Sequence, residues 1–167
     1  MGTNWFKIIL FAAFLIGGGN AVLAAKCDLP ANAVKLATDA GRVMNAKRAK
    51  AGLKALVLDE KLQAAAFAHA CDMSKRGYFS HQGKDGSNHA QRLKRQGCAP
   101  KISAENIAAG HTQAQPLIDA WMTSRGHRKN IMIRRGADRY GVGLAHSGKA
   151  YAHGFVWVMV FSSPCRR

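Results

Sequence analysis

Two histidines and one glutamate are the residues of this 167-residue chain whose types and settings point most directly to chemistry. Glu105 is one of two glutamates in the sequence, and it stands in a small, apolar stretch, 102–109, closed by Gly110. Removing water from a carboxylate is costly unless a cation or several donors replace it, so Glu105 needs a partner. It either holds a histidine or a bound ligand, or makes a structural salt bridge or backbone contact. His81 follows the turn Gly77-Tyr78-Phe79-Ser80, and His127 follows the end of an apolar helical stripe. Both imidazoles therefore sit at loop edges, where clefts usually form. Neutral imidazole nitrogens are ligands for zinc and other divalent metals, which makes His81 and His127 the candidate metal ligands. Without metal, His81, Glu105 and His127 would form a candidate catalytic set, a general base with its orienting group. The chain has no H-E-x-x-H, no G-x-S-x-G and no phosphate-binding glycine loop, so folding would have to assemble the three.

The remaining histidines need less explanation. His69 lies on the apolar face of a helix and reads as a core histidine, while His89, His111, His146 and His153 fall in turns or near strand ends. Arg125, Arg128, Lys129, Arg134, Arg135 and Arg139 crowd around His127 in sequence, with Asp138 alone against them. This is either a solvated basic face or a seat for an anionic ligand beside the cleft. Few aromatic residues are interleaved, which argues against a single-stranded nucleic-acid platform, and no specific nucleic-acid binding is expected. The net charge is +16, or +15 once Lys7 leaves with the leader described below. Such an excess favours an anionic envelope or membrane surface without selecting one.

The elements that must position these residues can be read from periodicity. A first helix is expected over 31–51, with Leu36, Val43 and Met44 as apolar anchors and Gly52 as the stop. In a second, Asp59 caps the start, Leu62, Ala65, Ala66, His69 and Met73 make one buried face, and Gly77 ends it. A loop over 77–88 and a short basic helix over 90–96 follow. Pro116 fits the first turn of a further helix with the stripe Leu117, Ile118, Trp121 and Met122. Tyr140, Val142 and Leu144 then alternate with Gly141, Gly143 and Ala145, the period of a strand. A four-residue turn, 146–149, leads to the unbroken apolar run 155–161, which suits a central strand buried on both faces. Helices followed by a closing hairpin indicate an α+β sandwich, helices packed on an antiparallel sheet.

Residues 1–25 have the three parts of a secretory signal peptide: Lys7, the apolar run 8–16, and small residues at 21–25 after the glycines 17–19. Cleavage there leaves about 140 residues, 26–167, enough for one domain with one good core. The four cysteines, Cys27, Cys71, Cys98 and Cys165, all lie in that part, and an even count in an exported chain favours two disulfides. No two are closer than the 26 residues between Cys71 and Cys98, unlike the close pairs of a zinc ribbon. Of the three connectivities, the reading favours Cys71 to Cys98 as a local staple and Cys27 to Cys165 as a tie between the termini. A reactive free thiol is the alternative.

The chain resembles the CAP superfamily, the SCP domains of cysteine-rich secretory, antigen and plant pathogenesis-related proteins, in its short bacterial form. The resemblance rests on Asn45-Ala46-Lys47-Arg48 with Gly52-Leu53, Tyr78-Phe79-Ser80-His81 with Asp85-Gly86-Ser87, and Ala104-Glu105-Asn106-Ile107. It continues through Ala120-Trp121-Met122-Thr123-Ser124-Arg125-Gly126-His127 and Tyr140-Gly141-Val142-Gly143. These segments run in family order over nearly all of 26–167. The resemblance implies an α-β-α sandwich whose cavity is lined by two histidines and two acids, the histidines able to hold a divalent metal, often zinc. Here His81, Glu105 and His127 match that set, and Ser124 stands where animal and plant members carry the second acid. Three functions are thereby expected to compete. The first is a secreted or periplasmic, monomeric binding module for a metal or a small apolar, lipid-like or anionic ligand. The second is a metal-assisted or acid-base hydrolase of an envelope polymer or peptide, and the third a cationic surface-interaction or toxic protein.

Overall fold

A computed structural model describes residues 27–148, 151 and 153–165. The proposed leader, 1–25, lies outside the described residues. In chain order the elements are α1 (Ala33–Lys50), β1 (Val57–Leu58), α2 (Glu60–Arg76), α3 (His89–Arg95), β2 (Ser103–His111), α4 (Ala114–Thr123), α5 (Arg125–Ile131), β3 (Arg139–His146) and β4 (Phe155–Ser162). Local chemistry accounts for several of the boundaries. The Asp59 carboxylate accepts from the backbone N–H groups of Lys61 and Leu62 at the start of α2, and Gly77 ends that helix in the left-handed region at φ 63. Asn88 and Gln91 form a reciprocal capping box on α3.

The sheet order is β1-β3-β4-β2, with β4 antiparallel to both of its neighbours. One edge departs from the expected antiparallel sheet. The two-residue β1 pairs parallel with β3, making the sheet mixed. A strand so short carries no periodic signal. The fold class itself is α+β, as the residue patterns indicate.

The unbroken apolar run of β4 follows from its central place. Trp157, Met159 and Phe161 pack into one core with α1, α4 and Ile131 of α5, whereas Val156, Val158 and Val160 pack into a second core with α2 and α3. Two helical layers thus sandwich the sheet. On β3 the division is sharper: Tyr140, Val142 and Leu144 fill the first core, while a Cβ on Gly141 or Gly143 would land on the backbone of α2 at Leu62–Gln63 or Ala66–Phe67. The glycines let that helix lie directly against the strand.

Two expectations are corrected. The disulfides join Cys27 to Cys71 and Cys98 to Cys165, not Cys71 to Cys98 and Cys27 to Cys165. All four cysteines border the α2–α3 core, so each end of the described chain is fastened to that layer rather than to the other end. Of the expected turn 146–149, His146 instead ends β3 and Lys149 lies outside the described residues, while the Ser147 hydroxyl donates to the His153 carbonyl at 2.9 Å.

Candidate functional site

Edge strand β2 carries the site, and neighbouring residues on it turn to opposite faces. Glu105 lies opposite Val160 and so faces the α2–α3 layer, whereas Asn106 lies opposite Met159 and faces α4 and α5. On its own face the Glu105 side chain, 1% exposed, is gripped from two sides. His81 Nδ1 lies 2.9 Å from Oε1, and Arg92 Nη2 donates to Oε2 at 2.7 Å. Arg92 is buried as well, and it also donates to the backbone carbonyls of His81 at 3.0 Å and Ser87 at 2.8 Å. One guanidinium therefore locks the acid and the loop that bears His81.

Asn106 does the corresponding work on the other face. Its Nδ2 donates to the His127 carbonyl at 3.1 Å, and its Oδ1 accepts from Asn130 Nδ2 at 2.9 Å. The Trp121 ring, buried at the end of α4, stands 6.2 Å from the His127 ring, centroid to centroid. Two successive residues of one strand thus hold the two histidine-bearing segments, His81 by its ring and His127 by its backbone. Among the described residues His127 makes no hydrogen bond to Glu105. Ser124 is the residue joining α4 to α5, and its side chain caps neither helix.

The electrostatics follow from these partners. Burial alone would raise the Glu105 pKa, but the His81 hydrogen bond and the Arg92 charge outweigh it and hold the carboxyl below its ordinary range. An ionised carboxylate only accepts, so His81 Nδ1 is the donor. In the neutral form of the ring Nε2 then carries the lone pair, on a side chain that is 56% exposed. The His127 pKa is lowered first by burial and then by repulsion from His81 when that ring is protonated, which favours the neutral form of His127. His69, 1% exposed, lies beneath the same loop: its Nε2 bonds the Ser80 carbonyl at 2.9 Å, while its buried Nδ1 has no partner among the described residues. Burial lowers its pKa and keeps the ring neutral.

Sequence reasoning did not single out Arg92, Asn106 or Asn130. Asn106 shares the apolar setting that draws attention to Glu105, and that signal could have found it; nothing in a short basic helix distinguishes Arg92 from its basic neighbours. The basic residues around His127 also part company: Arg134 and Arg135 line a different cleft, and Arg139 pairs with Asp138. As for metal, the described residues contain no group of three or more His, Cys, Asp or Glu suited to hold an ion. Two imidazoles would fill half of a tetrahedral zinc's four positions, with water or a bound molecule in the others.

A sandwich of two helical layers on a four-stranded sheet, with an acid and two histidines marshalled by its edge strand, defines the class of molecule. Residues 42–161 match the model of the CAP family, the cysteine-rich secretory protein family, and the chain belongs to that family. Among curated relatives it is 38% identical over 112 residues to the uncharacterized protein YkwD of Bacillus subtilis, a match covering 67% of this chain and 43% of YkwD. Among solved structures it is similar to an extracellular protein containing an SCP domain from Bacillus anthracis, with a TM-score of 0.67 and 25% identity over 78% of this chain and 41% of that one. A cysteine-rich secretory protein from Staphylococcus aureus shares the fold at a TM-score of 0.64 and 19% identity, over 80% of this chain and 40% of its own length. The chain spans less than half the length of each of these three proteins.

Proposed function

We propose that this chain is an exported binding module of the cell envelope or its surroundings, and that His81 and His127 take a divalent metal ion such as zinc. The observation that carries this reading is the commitment of Glu105. With Arg92 on one oxygen and His81 on the other, the carboxylate is held ionised below its usual range, which makes it a poor proton acceptor near neutral pH. It suits instead the part of a hydrogen-bond acceptor that fixes a ligating imidazole, as carboxylates commonly do behind metal-bound histidines. His81 Nε2 and a neutral His127 nitrogen would hold the ion, which would supply a Lewis-acid centre with positions open to a further ligand. Export is supported by the two disulfides, which persist in oxidising compartments, and by the signal-like pattern of residues 1–25.

Calorimetric titration with zinc tests the proposal. One ion per chain is expected, with affinity falling about tenfold or more in both His81→Ala and His127→Ala while circular dichroism stays unchanged. Absence of zinc binding in the wild type, or unchanged affinity in both variants, overturns it. Turnover of a peptide or envelope polymer that disappears in Glu105→Ala and His127→Ala would favour the hydrolase reading instead.

A further inference from the structure

A second cleft lies away from the imidazoles. It is a cavity of about 730 Å³ between the turn that follows α1 and the turn that precedes β3, and its lining includes Arg48, Lys54, Arg134, Arg135 and Asp138. Its volume is that of a small-molecule site.

The unusual member is Arg48. It is 3% exposed, and its guanidinium is held wholly by neutral acceptors: Nε donates to the Lys54 carbonyl at 2.9 Å, and Nη1 to the carbonyls of Ile131 at 2.6 Å and Ile133 at 2.9 Å. Nη2 makes no hydrogen bond among the described residues. A guanidinium stays protonated when buried, so the site carries a desolvated charge in need of an anion. Among the described residues no carboxylate pairs with it. All nine Asp and Glu residues lie within the described residues, and none stands within ion-pair distance of Arg48, Lys54, Arg134 or Arg135. Asp138, the one acid in the lining, is engaged with Arg139 at 3.6 Å. Among the described residues, four cations therefore line one cleft against a single acid, Asp138.

We infer that this cleft is a binding site for a phosphate-bearing anion. Arg134 and Arg135 supply planar donor forks suited to phosphate oxygens, Arg48 adds its one uncommitted nitrogen, Nη2, and four positive charges match a multiply charged phosphate better than a single carboxylate. Buried Arg48 gives the site a fixed floor, and exposed Lys54, Arg134 and Arg135 form its rim. Ile102, 46% exposed, packs against Gly136 of the lining and adds an apolar shoulder. His81, Glu105 and His127 are not among the lining residues, so this inference stands or falls separately from zinc binding.

The test measures binding of soluble polyphosphate, and of phosphatidylglycerol vesicles beside phosphatidylcholine vesicles, at fixed moderate salt. The variants are Arg134→Ala/Arg135→Ala and the charge-matched control Lys75→Ala/Lys94→Ala, whose residues are exposed and outside the cleft. Loss of two charge-assisted contacts is expected to weaken polyphosphate binding about tenfold or more, against less than about twofold in the control. Matching behaviour on phosphatidylglycerol vesicles assigns the phosphate to a lipid headgroup; polyphosphate binding alone assigns it to a soluble or polymeric phosphate. Equal weakening by both double variants overturns the inference, since diffuse charge would then suffice, and so does a wild type that binds neither probe. Arg48→Lys, which keeps the charge but removes the Nη2 donor, is expected to weaken binding as well, with an unchanged thermal melt.

Discussion

Glu105 and Arg92 are each buried and each the other's charge partner, an arrangement whose value lies in its completeness. Removing one member of such a pair leaves the other charged and desolvated, typically at a cost of about 3–5 kcal/mol. Glu105→Gln is accordingly expected to lower unfolding stability by about 3 kcal/mol, read from urea unfolding at pH 7. The sign of its pH dependence follows from the lowered carboxyl pKa. The stabilisation is complete above the ordinary carboxylate value of 4.5 and is lost as pH falls through the lower folded value. Unfolding midpoints measured from pH 5 down to pH 3 should therefore fall more steeply for the wild type than for Glu105→Gln, where this term is already gone. An equal slope in the two proteins would place the acid sensitivity elsewhere.

At the scale of elements, α2 lies directly against β3, and two glycines permit it. A Cβ at position 143 would meet the backbone of Ala66 and Phe67, which cannot swing aside as the end of a flexible side chain can. Gly143→Ala is expected to destabilise by about 2 kcal/mol or more, seen as a lowered Tm, because strand and helix must separate. Gly126→Ala is the contrast. That position, inside α5, has no atom within 4 Å of an added Cβ, so the exchange should be neutral or stabilising by up to about 1 kcal/mol through helix propensity.

For the molecule as a whole, the two disulfides close loops of 44 and 67 residues and tie both ends of the described chain to the α2–α3 layer. On the loop-entropy account each contributes about 4 kcal/mol by restricting the unfolded chain. Reductant is expected to shift the guanidinium midpoint downward by a large fraction of its value. The native chain should show no titratable thiol before denaturation, consistent with the absence of free cysteine among the described residues. A reduced protein as stable as the oxidised one would mean that the sandwich core alone suffices.

What the residues settle by themselves is local. Asp59 and Gly77 bound a helix because capping and left-handed backbone are properties of single residues and their nearest neighbours. The run 155–161 declares a strand buried on both faces because its composition leaves no face for water, and the family motifs lie in plain order along the chain. The disulfide pairing, the Arg92 partner of Glu105, the Asn106 bridge to His127 and the parting of Arg134 and Arg135 from the His127 region were decided only by tertiary structure. Each depends on which surfaces meet across a loop, and the entropy of closing a loop grows so slowly with its length that nearness in sequence is a poor guide to contact.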